Sequence, residues 1–267
     1  MMNLSGRTAL VTGAASGIGR ALAIALADRR CNVALADIDK AGLDDVASVL
    51  SPAVCVSRHH LDLSDPAAIA SLPDEVRRRH SQLDLLVNNA GVALKGSFQE
   101  VAAEDFDWLM SVNFFGVVRM TRAFLPLLMT SQDARVVNVS SLFGLIAPPN
   151  NTAYVSSKFA IRGFSEALRH ELAETTIGVS VVHPGGVATS ISANARPPRG
   201  AGRQESSTSF EKKLSLPPST AAETILRGIE RRRPRIIVGA DAKLASVVER
   251  LAPVSYWKLL QLAAAQS

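Results

Sequence analysis

Only two cysteines, Cys31 and Cys55, occur in this chain, and they form no Cys-x-x-Cys pair. One leads into an apolar strand pattern and the other falls within one, so both are expected as reduced core residues of a cytoplasmic protein. Aromatic residues are scarce, at 5%. Basic residues cluster no further than Arg77-Arg78-Arg79 and Arg231-Arg232-Arg233, so the net charge of +5 marks no nucleic-acid-binding surface. Both runs fall where helices are expected to end, and cations there complement the helix dipole. The most apolar stretch, Phe114 to Met129, is interrupted by Arg119, Arg122 and Pro126, which argues against a membrane span. The opening Met1-Met2-Asn3-Leu4-Ser5-Gly6-Arg7 lacks the apolar centre of a signal peptide.

Core material is ample. Hydrophobic residues make up 47% of the 267 and charged residues 20%, the balance of a soluble globular protein. Short apolar runs at Thr8 to Thr12, Asn32 to Asp37, Ala53 to His59, Leu83 to Asn88, Arg135 to Ser140, Gly178 to His183 and Arg235 to Gly239 read as seven strands. Helical spacing fills Gly17 to Arg29, Ala41 to Leu50, Asp65 to His80, Ala103 to Thr130, Thr152 to Glu174 and Ser219 to Arg231. The last opens with Thr220-x-x-Glu223, the pattern of a capping box. Strict alternation, with strands apolar on both faces, predicts an α/β fold: one Rossmann-type doubly wound parallel sheet of seven strands, helices on both faces, in a single domain over 1–267. Two segments stand outside the pattern. Val187 to Pro217, rich in Pro, Gly, Ser and Arg, is expected to be a substrate loop or lid, and Asp241 to Ser267 a C-terminal helical extension.

Gly13, Gly17 and Gly19 lie between the first strand and the first helix, where missing side chains let backbone amides and a helix N-terminus approach a pyrophosphate. A plain strand-to-helix turn has the same glycines. Asp37 ends the second strand, where a carboxylate accepts hydrogen bonds from a ribose hydroxyl and repels a 2′-phosphate. Neither Ser16 nor Ile38 offers a cation to offset it, so NAD is favoured over NADP, with Lys40 and Arg20 the nearby cations that bear on that choice. Asp62-Leu63 and Asn88-Asn89-Ala90-Gly91 close the third and fourth strands, at the sheet edge where open α/β proteins bind ligands.

Tyr154 and Lys158 stand four apart, on one face of the expected helix, thirteen and seventeen residues beyond Ser141. An ammonium one turn from a phenol favours the phenolate. Bringing a tyrosine from a pKa near 10 to about 7 takes roughly 4 kcal/mol of preferential stabilisation. Taken alone, the pair equally describes an amphipathic tyrosine beside a solvated lysine.

Together, Thr12-Gly13-x-x-x-Gly17-Ile18-Gly19, Asn88-Asn89-Ala90-Gly91, Asn113, Ser141, Tyr154-x-x-x-Lys158 and Pro184-Gly185 resemble the motifs of the classical short-chain dehydrogenase/reductase family, in order and spacing, over Leu4 to Gly239. The resemblance implies that Tyr154 is the general base in alcohol oxidation and the acid in ketone reduction. It implies that Lys158 lowers the tyrosine pKa and holds the nicotinamide ribose, and that Ser141 hydrogen-bonds the substrate oxygen. Asn113 would hold a water linking Lys158 to solvent; without the family it reads as a buried, kink-stabilising residue. Ser140 is the alternative serine. The implied cofactor site comprises Gly13, Ser16, Gly17, Ile18, Gly19, Asp37, Asp62, Leu63, Asn89, Ala90, Gly91, Tyr154, Lys158, Pro184, Gly185, Val187 and Thr189, with no metal. His183, ending a strand, is expected to be structural.

The expected activity is NAD-dependent interconversion of a secondary alcohol and a ketone on a small apolar substrate, by a homotetramer or homodimer. One alternative is NADPH-dependent reduction of a 3-oxoacyl thioester on an acyl carrier or coenzyme A, prompted by the basic loop with Arg196, Arg199, Arg203, Lys212 and Lys213. The other is a dinucleotide-sensing scaffold, which has no need of Ser141, Tyr154 and Lys158 together. The tail around Tyr256 and Trp257 is expected to enclose substrate or a subunit contact, with membrane-surface attachment through Tyr256, Trp257 and Lys258 as the other reading.

Overall fold

The computed structural model describes residues 1–191, 194–196 and 216–265. Strands β1 (Thr8–Thr12), β2 (Asn32–Asp37), β3 (Val56–His60), β4 (Leu85–Asn88), β5 (Ala134–Val139), β6 (Ile177–Pro184) and β7 (Arg235–Val238) form one sheet in the order β3-β2-β1-β4-β5-β6-β7. Every neighbouring pair is parallel. Residues of β1, β4 and β5 are buried along their full length, which is why apolar runs such as Ala9-Leu10-Val11, Leu85-Leu86-Val87 and Val136-Val137 show no alternation. Edge strand β3 alternates instead, with Ser57 and His59 inward.

Helices cover both faces. On one side α1 (Gly17–Asp28), α2 (Lys40–Val49) and α7 (Pro218–Glu230) pack Leu22, Leu26, Val46, Ile225 and Ile229 against the sheet. On the other, α3 (Pro66–Arg77), α5 (Gly116–Leu128) and α6 (Thr152–Glu171) contribute Ile69, Leu72, Met120, Phe124 and Leu168. Helix starts follow local chemistry. Asp39 caps α2 by accepting from the Gly42 amide at 3.0 Å, and Asp65 caps α3 by accepting from Ala67 at 2.8 Å, with Pro66 at the first helical position.

Three expectations are corrected. The single helix over Ala103 to Thr130 is α4 (Ala103–Met110), a π-helical turn (Ser111–Phe115) and α5, because one extra residue per turn is accommodated around Asn113. Strand β3 begins at Val56, not Ala53, which leaves Cys55 exposed while Cys31 is buried. The capping box does not form. Helix α7 starts at Pro218, so Thr220 already lies inside it, and Glu223 instead pairs with Arg29 of α1 at 2.9 Å. In the tail, α8 (Ala240–Leu251) and α9 (Tyr256–Ala265) bury Ala242, Ala245 and Leu260 against Leu142 and Ile146, with Tyr256 turned inward. The Tyr256 hydroxyl accepts from the Ala147 amide at 2.9 Å. Most of the expected lid, 192–193 and 197–215, lies outside the described residues. Its described ends bridge Val187 to Leu216 and Leu94 to Arg196. No helix among the described residues is long and apolar enough to cross a membrane.

Chain direction reverses across the sheet beside β1, since β2 lies on one side of it and β4 on the other. The loops leaving those strands therefore part at their C-terminal ends and open a crevice there.

Candidate active site

A cavity of about 810 Å³ runs along these strand ends, from Asp37 beyond β2 to Asp241 beyond β7. At its first end, Gly13 (φ 66°) and Gly17 (φ 53°) occupy left-handed conformations in the turn from β1 into α1. A side chain at Gly13 would meet Ala90 Cα at 2.8 Å, and one at Gly19 would strike Asn89 Nδ2 and the Gly13 carbonyl. Gly13 and Gly17 line the cavity; Gly19 does not, and its bareness serves the packing of α1 against the turn. The Thr12 hydroxyl accepts from the amides of Asn89 (3.0 Å) and Ala90 (3.1 Å), and Asn89 Nδ2 donates to Thr12 O (2.9 Å), stapling the ends of β1 and β4 together.

Asp37 sits at the cavity wall with Ser16, Ile18 and Ile38. Its carboxylate accepts from the amides of Ala15 (2.9 Å) and Asp39 (3.0 Å), so it is fixed by the backbone of both flanking turns. Neither Lys40 nor Arg20 is among the residues lining this cavity. Asp62 and Leu63 line it as well, although Asp62 Oδ1 also accepts from the Ser64 amide (2.8 Å) in a local turn.

At the other end, Ser141 follows β5 and faces Tyr154 of α6. The Ser141 hydroxyl accepts from the Phe143 amide at 3.1 Å, which directs its own proton elsewhere. The Ser140 hydroxyl is already used on the Lys158 carbonyl (2.8 Å), in the contact where Gly144 leaves no room for a side chain. Lys158 is buried and donates to the Val139 carbonyl at 3.2 Å, with Nζ 5.4 Å from the centre of the Tyr154 ring. Burial pushes the Tyr154 phenol up to about 12, against the lowering effect of its hydrogen bond with Ser141. Burial also pushes the Lys158 ammonium down to about 8. The chain's own residues thus leave the phenol well above the value near 7 that a base requires, because desolvation outweighs the hydrogen bond with Ser141.

Asn113 is fully buried in the π-helical turn and does not line the cavity. Its side chain pairs with both backbone groups of Val92, accepting from N (2.8 Å) and donating to O (2.9 Å), and donates to Ser157 Oγ (3.2 Å). Asn113 thus ties the helix irregularity to the loop that follows β4. The space left by the missing Gly91 side chain lies 3.3 Å from Asn113 Oδ1 and 3.4 Å from Lys158 Nζ, so it borders both groups.

Pro184, Gly185, Val187 and Thr189 line the cavity after β6. His183 is buried; its Nδ1 donates to the Ser141 carbonyl at 3.0 Å, and burial pushes its pKa down to about 4. It braces Ser141 as a neutral residue.

Sequence reasoning missed two features. Asp241, in the first turn of α8, accepts from the Gly186 amide at 2.7 Å and lines the cavity. Arg196 stacks on Trp108, 3.4 Å from the ring centre, and pairs with Asp105 at 3.2 Å, closing the wall beside Lys95. No short spacing marks either one, since their partners are far apart in sequence.

Comparison with known proteins places these features. The family described as short chain dehydrogenase matches residues 7–200. A Mycobacterium tuberculosis protein named as the oxidoreductase SadH is 39% identical over 264 residues, covering 97% of this chain and 96% of that one. A solved short-chain dehydrogenase/reductase from Burkholderia phymatum, in complex with NAD, superposes with a TM-score of 0.82 at 28% identity, over 94% of this chain and 95% of the other. An alcohol dehydrogenase from Thermococcus sibiricus, complexed with 5-hydroxy-NADP, gives 0.76 at 26% identity, over 87% and 95%.

Proposed function

The chain belongs to the short-chain dehydrogenase family and is an oxidoreductase of that family, and from that premise we propose that it interconverts a secondary alcohol and a ketone on an apolar substrate, with NAD as cofactor. The observation that carries this reading is the convergence of Ser141, Tyr154 and Lys158 on the same cavity that holds the glycine turn and Asp37.

The fit to a dinucleotide rests on the chain itself. Gly13 and Gly17 line the cavity next to the N-terminus of α1, in a turn so close to Ala90 and Thr189 that side chains there would collide or crowd, and Asp37 stands where a ribose hydroxyl needs an acceptor. Bound there, the nicotinamide supplies the hydride acceptor and, when oxidised, a further positive charge in a cavity whose burial otherwise keeps the phenol protonated. In oxidation, Tyr154 Oη, ionised beside the bound cation, would take the hydroxyl proton of the substrate while Ser141 Oγ, already an acceptor from Phe143, would donate its own hydrogen bond to the substrate oxygen. Lys158 holds the ribose and supports the phenolate. Asn113 and Lys158 border the space beside Gly91, where a proton leaves towards solvent.

Preference for NAD over NADP rests on Asp37, with Lys40 and Arg20 away from the cavity lining. The thioester alternative drew on basic residues of which all but Arg196 lie outside the described residues, and Arg196 is engaged with Trp108 and Asp105. A dimer or tetramer is supported by Phe115 and Phe159, 46% and 37% exposed on the segment from α4 to α5 and on α6. The test is NADH formation with a panel of secondary alcohols, repeated with NADP. Turnover is expected with NAD and weaker with NADP; no turnover with either cofactor on any alcohol or ketone of the panel would overturn the assignment.

A further inference from the structure

Asp241 lies beyond the segment matched by the family and belongs to none of the motifs above. Its carboxylate is nevertheless built into the site. Gly239 (φ 98°) turns the chain out of β7, and Asp241 then falls in the first turn of α8, where the helix dipole favours an anion. Oδ2 accepts from the Gly186 amide at 2.7 Å. The carboxylate presses so close to Gly185 and Gly239 that a side chain at either would collide with it. Oδ1 has no hydrogen-bond partner among the described residues, and Asp241 lines the cavity shared by Ser141, Tyr154 and Pro184. The other lining carboxylates, Asp37, Asp39 and Asp62, stand at the ends of β2 and β3 on the other side of β1, so among the described residues Asp241 is the one lining anion on the side of Ser141 and Pro184.

Hydride transfer changes the charge of a nicotinamide ring by one. We propose that Asp241 is a positioning residue that biases the relative affinity for the two redox forms of the cofactor towards NAD⁺, against the opposing charge of Lys158 in the same cavity. This rests on the reading that the cavity takes a nicotinamide dinucleotide. A fixed carboxylate stabilises the cationic ring and does nothing comparable for the neutral one. The hydrogen bond to Gly186 holds both that charge and the Pro184–Gly186 backbone in place.

The test is binding, measured without turnover: NADH by its fluorescence on titration, NAD⁺ by competition, for wild type, Asp241→Asn and Asp241→Ala. Asparagine keeps an acceptor for Gly186 and removes the charge. Asp241→Asn is expected to weaken NAD⁺ about fivefold, the effect of one partly screened charge, while NADH stays within about twofold. Asp241→Ala is expected to show the same change in the ratio, with some added loss for both forms. An unchanged ratio in both variants, whether affinity is kept or lost equally for the two forms, would mean a structural role only and overturn the proposal. Failure of the wild type to bind either form would instead overturn the cofactor reading, and this proposal with it.

Discussion

Acid should destabilise this protein through His183 in a way that can be isolated. The imidazole is completely buried, its Nδ1 is committed to the Ser141 carbonyl, its Nε2 has no partner among the described residues, and the Arg235 and Arg162 cations oppose a further charge. Its pKa falls from 6.5 to about 4 on folding. The folded value is the lower one, so below pH 6.5 the unfolded chain takes up a proton that the folded chain refuses. The contribution is complete above 6.5, is lost progressively as pH falls, and levels off below about 4. Between pH 7 and pH 5 the proton imbalance integrates to about 2 kcal/mol. The perturbation is His183→Asn, which keeps a donor for the Ser141 carbonyl and removes the titration. Reversible urea unfolding at fixed protein concentration, at both pH values, gives the comparison. His59 and His80, also buried with lowered pKa values, titrate in both proteins and cancel. Wild type should lose about 2 kcal/mol more than the variant on going from pH 7 to 5. Equal losses in the two proteins would refute the account of His183 as a buried neutral brace.

Tyr154→Phe should lower turnover by about 10²–10⁴-fold while NAD binding, followed by titration, stays within a few-fold, because the lost hydroxyl carries the proton and little of the cofactor affinity. Retained turnover within about tenfold would contradict a general base at this position. Asp37→Ala combined with Ile38→Arg should move the ratio of kcat/KM values from NAD towards NADP, by removing a repulsion and supplying a cation for the 2′-phosphate; a wild type that already prefers NADP would defeat the electrostatic argument. Phe159→Glu should yield a smaller species than wild type by light scattering at micromolar concentration, and a wild type that is itself monomeric there would dispose of the proposed assembly.

The central strands were legible because they are buried on both faces, which gives β1, β4 and β5 consecutive apolar residues at their centres. At the edge this signal weakens, and β3 was extended over Cys55, which solvent reaches. The π-helical turn at Ser111–Phe115 was hidden because it slips the helix by one residue without changing composition. The candidate site was legible where its parts stand a few residues apart, as in Tyr154 and Lys158. Its electrostatics were not, because the desolvation that raises the phenol depends on what packs around it. Asp241 was out of reach for a related reason: its partner Gly186 is 55 residues away, and nothing in either segment announces the other.

The place of β1 at the middle of the sheet has a kinetic consequence. Ala9 pairs with Leu85, and three helices and two strands separate them along the chain, whereas β1 and β2 are joined through α1 alone. The β1-β2-β3 half can therefore assemble by short crossovers, while docking of β4 must first overcome the closure entropy of a long loop. The staple between Thr12 and Asn89, and with it the cradle around Gly13, comes into being only at that docking step. A half-assembled chain then offers a dinucleotide only the glycine turn and Asp37, without the walls that follow β4, β5 and β6. Adding it should slow unfolding and raise the midpoint without accelerating the refolding step that forms the cleft.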